Sequence, residues 1–551
     1  MERLWYGKTL AMTFAAWAFG LRKTLFLRLP ILVAAAVLLL PNSSVGSAAP
    51  PVGTDGDWPM WQFDLAGSRH NPHETALTPA TVTSLQLKWA FAFPDSIAAS
   101  SQPAVVDGTV YVGGRNGTFY ALDAYTGATR WSFQAETPLG GNLPTYGLRN
   151  GPAVVDGTVY FGDNSARMWA LDAQTGTLRW VRQLDNHRYA IITGSPLVFD
   201  DRVYVGVSSQ ELGAATSDLY PCCTFRGSVV ALDAATGNVQ WQHYTIPPPE
   251  PTPNGSPPFA PSGAPVWSSP TIHPESRTLY YTAGNPYTGY PEGAEAIGAL
   301  DIDTGTVRWV RRMTPGQAPW NGRCTYPPPG GNCPEPGHDF DFGSQPNIFE
   351  IGDRLVVGAG QKSGVYHLLD ATTGEIVWQT RLNTPVPVLP IPGSESLQGI
   401  QWGASYDGHR LYVATYQGTP GTLFALHPAT GEVIWSTPNP AHGCLFDPPP
   451  IPMLPLCQLA MPNAVSSTPG LVYEGSLDGK MRVFSAETGA ILWEYNTARH
   501  FHTVNGVPGV GGGINGHGAV VANGMLFTNS GYGRQITTGM PGNVLLAFGL
   551  P

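Results

Sequence analysis

The stretch Ala121–Trp131 reads ALDAYTGATRW, and variants of it recur along the chain. The clearest copies span Ala170–Trp180, Ala231–Trp241, Ala299–Trp309, Leu368–Trp378, Ala425–Trp435 and Phe484–Trp493. A partial copy at Val544–Phe548 ends the series, and a lone Trp89 precedes it. Self-similarity with a period of tens of residues indicates a repeat architecture. We therefore expect a fold built from repeated units, with the chemistry carried by residues that do not repeat.

Each unit has the pattern of a four-stranded antiparallel sheet. In the first unit, an apolar segment leads into the turn at Asp107 and Gly108, and two alternating strands follow before the Thr-Gly turn and the strand with Trp131. Such strands between Asp-Gly and Thr-Gly pairs are hairpin signals, and glycine supplies the positive φ that the Thr-Gly turn needs. The pattern predicts an all-β propeller whose blades are separated by the repeated tryptophans.

The tryptophans also predict the number of blades. Eight of them end a strand: Trp89, Trp131, Trp180, Trp241, Trp309, Trp378, Trp435 and Trp493. The last unit, residues 519–548, lacks its tryptophan strand, while residues 85–93 form a tryptophan strand with no unit before it. Together they would complete one blade, join the chain termini and remove an exposed edge. We predict eight blades; seven blades plus an irregular domain is the alternative.

Composition agrees with this fold class and excludes others. The chain has 551 residues, 66 glycines and 53 prolines but only 12% charged residues, a profile of short strands joined by turns. Aromatic residues make up 11%, which argues against disorder. The formal charge of −10 argues against a nucleic-acid partner.

Residues 1–49 differ in character from the rest. Arg22, Lys23 and Arg28 precede an apolar run, residues 29–40, and a small-residue stretch follows it. This order is typical of a cleavable export signal, and an uncleaved membrane anchor is the alternative. We therefore predict an exported protein in which residues 50–551 form a single propeller domain and only the N-terminal segment, if uncleaved, contacts a membrane.

The six cysteines form three close pairs in the sequence. An even count in an exported chain suggests local disulfides, although the sequence alone leaves other pairings open. The pairs are Cys222 with Cys223, Cys324 with Cys333, and Cys444 with Cys457. The sequence contains no Cys-x-x-Cys-His motif, so we expect no covalent haem.

The repeat and its interruptions resemble the quinoprotein alcohol dehydrogenases, which bind pyrroloquinoline quinone (PQQ) and a metal ion at the axis of an eight-bladed propeller. The resemblance covers residues 58–548. It implies that the residues matching the family's cofactor positions bind PQQ: Arg149, Thr193, Trp267, Lys362, Gln401 and Trp402. Arg149 and Lys362 suit the carboxylates of PQQ, and Trp267 offers an aromatic face to a flat cofactor.

The same resemblance implies a metal site and a catalytic base. Glu211, Asn285, Asp339 and Asp341 match metal-binding positions, and their carboxylate and amide oxygens suit Ca²⁺ or a lanthanide. A metal ion there would polarise the quinone carbonyl, and an aspartate beside it would remove the alcohol proton. We favour Asp339 as the base and Asp341 as an additional ligand, although either aspartate could hold either role.

The adjacent cysteines depart from the family pattern. Methanol-oxidising members place an adjacent-cysteine disulfide against PQQ, but Tyr146 stands where that pair is expected, and Cys222 and Cys223 follow Glu211 instead. The pair could cover the quinone from a neighbouring blade or staple a local loop. The departure argues against methanol as the substrate.

Two stretches, DFDFGS at 339–344 and GQKSG at 360–364, are most similar to the polyvinyl alcohol dehydrogenase branch. The resemblance implies oxidation of secondary or polymeric alcohols, with electrons passed to an external cytochrome c or other acceptor. A non-catalytic propeller that acts as a protein-interaction scaffold is the alternative. We expect His500, His502 and His517, near the end of the chain, to be packing or turn residues.

Overall fold

The computed structural model describes residues 56–135, 147–325, 331–382, 399–416, 420–440, 457–532 and 539–551. Eight four-stranded antiparallel sheets dominate this part of the chain and form the predicted eight-bladed propeller. Three short helices also occur in it: Val82–Ser84, Glu211–Ala214 and Gly322–Thr325.

The first four blades follow one another in the sequence, and each runs from its first to its fourth strand. Blade 1 contains Ala104–Val106, Thr109–Gly113, Thr118–Asp123 and Thr129–Gln134. Blade 2 contains Ala153–Val155, Thr158–Gly162, Arg167–Asp172 and Leu178–Gln183. Blade 3 contains Leu197–Phe199, Arg202–Ser209, Ser228–Asp233 and Val239–Tyr244. Blade 4 contains Thr271–His273, Thr278–Ala283, Ala296–Asp301 and Val307–Arg312.

The remaining blades repeat this order. Blade 5 contains Asn347–Ile351, Arg354–Gly360, Val365–Asp370 and Ile376–Arg381. Blade 6 contains Ser405–Tyr406, Leu411–Ala414, Thr422–Leu426 and Val433–Pro438. Blade 7 contains Ser466–Thr468, Leu471–Gly475, Lys480–Ser485 and Ile491–Asn496. Blade 8 contains Val520–Ala522, Met525–Ser530 and Val544–Gly549, with Gln86–Ala92 as its fourth strand.

Additional short strands extend the loops between blades. Ala190–Ile191 pairs with the second strand of blade 3. Three two-stranded ladders join Glu250–Pro251 with Phe259–Ala260, Ser262–Gly263 with Pro286–Thr288, and His500–Phe501 with Gly509–Val510.

Blade 8 closes the ring from both ends of the propeller sequence, as predicted. The N-terminal strand Gln86–Ala92 pairs antiparallel with the C-terminal strand Val544–Gly549. This pairing completes the fourth strand of blade 8, so the strand Val544–Gly549 is not left as an exposed sheet edge.

The repeated tryptophans connect neighbouring blades by a recurrent hydrogen bond. The indole N–H of Trp131 donates to the carbonyl of Ala173 in the next blade at 2.9 Å, and the same bond joins Trp89 to Ala124 at 2.9 Å. The last member, Trp493, donates to the carbonyl of Leu85 at 3.3 Å. Intermediate members are Trp180, Trp241, Trp309, Trp378 and Trp435. The blade-packing role predicted for these tryptophans is therefore confirmed.

Two structural features of the Thr-Gly turns require glycine. Gly176 has φ +72°, and a Cβ atom there would lie 2.6 Å from the ring of Trp131 in the preceding blade. The turn therefore needs both a left-handed backbone and an absent side chain.

Two predicted disulfides, Cys222–Cys223 and Cys324–Cys333, are present. Cys457 is disulfide-bonded, and its predicted partner Cys444 lies outside the described residues. Residues 1–55, and with them the predicted export segment, also lie outside. No helix within the described ranges is long and apolar enough to cross a bilayer.

Candidate active site

The predicted site residues lie in loops that meet at one end of the blades. Arg149, Thr193 and Trp267 precede the first strands of blades 2, 3 and 4, whereas Asn285 and Lys362 follow the second strands of blades 4 and 5. Because the first two strands of a blade are antiparallel, the start of one and the end of the next lie at the same edge. Eight such edges around one axis bring distant segments of the sequence together.

A cavity of about 420 Å³ lies among these loops. Four of the predicted PQQ-binding residues line it: Arg149, Thr193, Trp267 and Trp402. Gln401 is buried next to Trp402.

Trp267 is held through both its backbone and its indole ring. Thr193 donates its hydroxyl to the main-chain carbonyl of Trp267 at 2.9 Å, and the Trp267 indole N–H donates to Asp341 Oδ1 at 3.2 Å. These bonds fix the ring on the cavity wall, where an aromatic face can support a planar ligand.

The opposite part of the lining is cationic and aromatic. Arg149 Nη2 donates to the hydroxyl of Tyr532 at 3.0 Å, and its guanidinium lies 5.7 Å from the centroid of the Trp402 ring. Trp402 is oriented in turn by its indole N–H, which donates to Asn515 Oδ1 at 2.7 Å. This arrangement presents a positively charged group to an anionic ligand.

A buried cluster of one cation, two carboxylates and one amide adjoins Trp267. Lys362 Nζ lies 3.2 Å from both oxygens of Asp339 and 3.0 Å from Asp341 Oδ2. The side-chain amide of Asn285 donates to Asp339 Oδ1 at 2.7 Å, while its backbone N–H donates to Asp341 Oδ1 at 2.7 Å. We call these four residues the carboxylate cluster.

Burial and charge act in opposite directions within the carboxylate cluster. Burial raises the pKa of Asp341, Lys362 lowers it, and the charge of Asp339 raises it further. Burial alone would lower the pKa of Lys362, but the two aspartates outweigh that effect and raise it. Lys362 is therefore held in its charged form between two acids.

One oxygen atom of the carboxylate cluster lacks a hydrogen-bond partner. Asn285 is buried, and its Oδ1 has no hydrogen-bond partner. An unpaired buried amide oxygen is costly unless another group binds it. Together with the adjacent carboxylates it forms an all-oxygen donor set of the kind that a hard cation prefers, so these residues fit a metal ion.

Glu211 is buried but bound by other groups. Its Oε1 accepts from the hydroxyl of Tyr220 at 2.7 Å and the backbone N–H of Thr224 at 2.9 Å, and its Oε2 accepts from the N–H of Phe225 at 2.9 Å. Burial would raise the pKa of Glu211, but bonds from His187 and these donors lower it. No group of three or more His, Cys, Asp or Glu side chains in the described ranges could hold a metal, so Glu211 does not join Asp339 and Asp341 in such a group.

Cys222 and Cys223 directly precede the two backbone donors to Glu211. Both cysteines are fully buried in an apolar cluster with Phe225 and Tyr287. Neither is among the described residues that line the 420 Å³ cavity. Tyr146, which occupies the expected place of the adjacent pair, lies outside the described residues.

Sequence reasoning missed several residues of the cavity wall. Tyr532, Trp61 and Gln102 line it. His517, assigned to packing from the sequence, also lines it; burial lowers its pKa to about 4, and its Nδ1 has no hydrogen-bond partner. His500, by contrast, is exposed on a hairpin.

A positional signal could have found Tyr532. The second position after a blade's second strand holds Glu211, Asn285 and Lys362 in blades 3, 4 and 5. Tyr532 occupies the same position in blade 8. The repeat therefore marks one position per blade that can turn towards the axis, even though the residue type there does not repeat.

Comparison with known proteins gives matches along most of the chain. Residues 58–315 match the family described as glucose/ethanol/alcohol dehydrogenase, β-propeller domain, and residues 361–497 match the one described as outer membrane protein assembly factor BamB. A polyvinylalcohol dehydrogenase of a Pseudomonas species is 35% identical over 522 residues, covering 91% of this chain and 78% of that protein. Another, from a Sphingopyxis species, is 32% identical over 534 residues, covering 92% and 78%.

Solved structures share the fold. The quinohemoprotein alcohol dehydrogenase of Pseudomonas putida aligns with a TM-score of 0.68 and 21% identity, over 90% of this chain and 80% of that one. That of Comamonas testosteroni aligns with a TM-score of 0.66 and 20% identity, over the same shares.

Proposed function

Because this chain belongs to the PQQ-dependent alcohol dehydrogenase family, in its polyvinyl alcohol dehydrogenase branch, we propose that it oxidises secondary or polymeric alcohols to ketones. The unpaired Oδ1 of buried Asn285 beside two carboxylates carries the proposal. A scaffold that only bound other proteins would have no need for this costly arrangement next to an internal cavity.

The cofactor would be held by the cavity residues of the chain. Arg149 would pair with carboxylate groups of PQQ, and Trp267 and Trp402 would supply aromatic faces. Thr193 would act partly through Trp267, since its hydroxyl is already bonded to the carbonyl of that residue. Bound PQQ would supply the two-electron acceptor for the alcohol, and the metal ion would supply a Lewis acid.

The metal ion, Ca²⁺ or a lanthanide, would bind to Asn285 Oδ1 and to Asp341. Asp341 accepts three hydrogen bonds, from the Trp267 indole, the Asn285 backbone and Lys362, and these orient its oxygens. Glu211, also expected as a ligand, would have to exchange its present donors for the metal. We therefore propose that Glu211 either joins the metal ligands after exchanging these donors or supports the site without contacting the metal.

Asp339 would act as the general base. Within the described residues its hydrogen bonds come from two side chains, Asn285 and Lys362, whereas Asp341 also accepts from a backbone N–H. Lys362 and Asn285 would orient the Asp339 carboxylate, which would take the hydroxyl proton of the alcohol. The buried location would exclude water from that transfer.

The adjacent disulfide would serve as a loop staple beside Glu211. Its burial in an apolar cluster, away from the described cavity lining, favours this alternative over direct cover of the quinone. In this position Cys222 and Cys223 fix the turn that carries the N–H groups of Thr224 and Phe225.

The protein would act outside the cytoplasm and pass electrons to a separate acceptor. The basic, apolar and small-residue order of the N-terminal segment supports export. An external cytochrome c or similar molecule would be the electron acceptor, as the resemblance to the family implies.

Reconstitution tests the proposal directly. Purified protein would be loaded with PQQ plus Ca²⁺ or a lanthanide, and dye-linked oxidation of 2-propanol, ethanol and polyvinyl alcohol would be followed. We expect a quinone absorbance that remains after gel filtration, and turnover with 2-propanol exceeding that with ethanol. Failure to bind PQQ under every metal condition would refute the enzyme and favour the scaffold.

A further inference from the structure

A second cavity lies beside the carboxylate cluster and has no part in the proposed chemistry. Its space, part of which is open to solvent, amounts to about 560 Å³, and it is lined by Ser256, Pro257, Ala260, residues 287–290, Pro319 and residues 332–335. We call it the outer cavity. These segments belong to loops between the blade strands that are longer than the corresponding loops of blades 1 and 2, and the extra residues form the cavity.

Residues that line the outer cavity lie close in sequence to residues of the carboxylate cluster. Tyr287, in its wall, is two residues from Asn285, and Glu335 is four residues from Asp339. Two backbone bonds hold these segments together: Trp320 N donates to the Pro286 carbonyl, and Gly337 N donates to the Pro319 carbonyl, both at 2.9 Å. The segments that line the outer cavity are therefore tied to the segments that carry the carboxylate cluster.

Tyr287 is the lining residue of the outer cavity that is nearest in sequence to Asn285. Its side chain is only 1% exposed, and its hydroxyl donates to the carbonyl of Ser209 at 3.2 Å. Its ring packs in the buried apolar cluster that also contains Cys222, Cys223 and Phe225, and the backbone N–H of Phe225 donates to Glu211. Tyr287 therefore links a lining segment of the outer cavity to the buried surroundings of Glu211.

The lining of the outer cavity indicates its ligand chemistry. Pro257, Pro319, Pro334 and the ring of Tyr290 provide flat apolar surface. Hydroxyl and carboxylate groups are interspersed with them, and Tyr290 donates its hydroxyl to Glu335. No Lys or Arg is among the described lining residues, so an anionic ligand would find no charge partner there.

We propose that the outer cavity is a binding subsite for the non-reacting part of a long hydroxylated substrate, a chain of alternating methylene and secondary-alcohol carbons. The methylene groups would pack on the prolines and the Tyr290 ring, and hydroxyl groups would bond to Glu335 and its neighbours. One alcohol carbon of the same chain would then reach Asp339. The inference rests on the proposed function and adds to it the location of the specificity for long substrates.

The test fills or opens the outer cavity while leaving the carboxylate cluster intact. Ala260→Trp places a bulky ring in the space, and Tyr290→Ala removes part of the wall at a residue that is 50% exposed and so tolerates truncation. Tyr125→Ala is the matched control, because Tyr125 is 59% exposed in a turn of blade 1. Substrates are 2-propanol, 2,4-pentanediol and a short vinyl alcohol oligomer.

We expect kcat/KM for the oligomer to fall about tenfold or more in Ala260→Trp and Tyr290→Ala, mainly through KM. The value for 2-propanol should be unchanged, and 2,4-pentanediol should fall between the two. The control should behave as the unaltered protein does with all three substrates. Equal losses for 2-propanol and the oligomer, or no loss for either, would overturn the subsite.

Calorimetric binding of the oligomer to the protein without PQQ separates this inference from the proposed function. If the loaded protein fails to oxidise even 2-propanol, the proposed function is wrong, but oligomer binding still decides the subsite. Binding that Ala260→Trp weakens and Tyr125→Ala leaves intact supports it. Absent binding, or binding equal in all variants, overturns it.

Discussion

The side chain of Asn285 donates to Asp339 at 2.7 Å, yet its own amide oxygen is buried without a partner. The amide therefore orients one of the proposed catalytic acids and also keeps a buried oxygen without a hydrogen-bond partner. A metal ion bound to that oxygen would link the geometry of the base to the occupancy of the metal site. This coupling makes Asn285 the first residue to test.

Replacing Asn285 with alanine should weaken metal binding. We expect the Kd for Ca²⁺ to rise about tenfold or more, because the variant loses one oxygen ligand and leaves Asp339 without its amide donor. Isothermal titration calorimetry with Ca²⁺ measures the effect without any turnover. Asn238→Ala, at an exposed turn position, is the control and should keep the original affinity. An unchanged Kd in Asn285→Ala would remove this residue from the metal site.

The two aspartates should respond differently to amide substitution. Asp339→Asn should lower kcat by about 10²–10⁴-fold, the usual contribution of a general base, with a smaller change in Ca²⁺ affinity. Asp341→Asn should mainly raise the Kd for Ca²⁺, because it replaces a charged carboxylate ligand by a neutral amide. Steady-state rates and calorimetry on both variants make the comparison. The opposite pattern would exchange the two roles.

The fold could be predicted from the sequence because its cause is local and repeated. The Thr-Gly turn, the Asp-Gly turn and the strand-ending tryptophan each specify their own conformation, and eight copies reinforce one another. Even ring closure was predictable, since Trp89 had no unit of its own and the last unit lacked a tryptophan strand.

The site was predictable only in part, because its residues come from loops whose paths no local signal determines. The resemblance singled out Lys362 and Asp341, which meet, but gave no sign that Glu211 would be saturated by Tyr220 and two backbone donors. Tyr532 was missed because its partner Arg149 is 383 residues away in sequence. Such pairs depend on ring geometry and not on spacing.

Two glycines in blade 2 allow the tryptophan contact to be measured by itself. Gly176 and Gly157 have similar left-handed backbones, φ +72° and +67°, but a Cβ at Gly176 would meet Trp131 whereas one at Gly157 meets nothing within 4 Å. Gly157→Ala should therefore cost about 1–2 kcal/mol of stability from backbone strain. Gly176→Ala should cost about 1–3 kcal/mol more, because the methyl group displaces the indole.

Thermal unfolding of both glycine variants provides the comparison. The melting temperature should fall further in Gly176→Ala than in Gly157→Ala, and the difference reports the crowding at Trp131. Equal decreases would mean that the indole moves aside freely, and the tryptophan contact would then contribute little to blade docking.

The final prediction concerns acid stability and His367 in blade 5. Its Nε2 lies 3.2 Å from Gln361 Oε1, and its Nδ1 lies 2.7 Å from Gln379 Nε2, so the buried ring is neutral, donates through Nε2 and accepts through Nδ1. Burial and the charge of Arg381 lower the pKa of His367 from 6.5 to about 3. In the unfolded chain His367 therefore binds a proton below about pH 6.5, whereas in the folded protein it stays unprotonated down to about pH 3. Stability from this group is complete above that window and is lost as the pH falls through it, with a slope of up to roughly 1.4 kcal/mol per pH unit.

His367→Gln should flatten this dependence. The glutamine has no ionisable group, so the melting temperature of the variant should decline less steeply between pH 6.5 and 4.5 than that of the unaltered protein, even if the substitution lowers stability at every pH. His500→Gln is the control, because His500 is exposed on a hairpin, and its slope should match that of the unaltered protein. If His367→Gln and the unaltered protein lose stability in parallel, the acid sensitivity arises elsewhere and the neutral, doubly bonded ring of His367 makes no contribution to it.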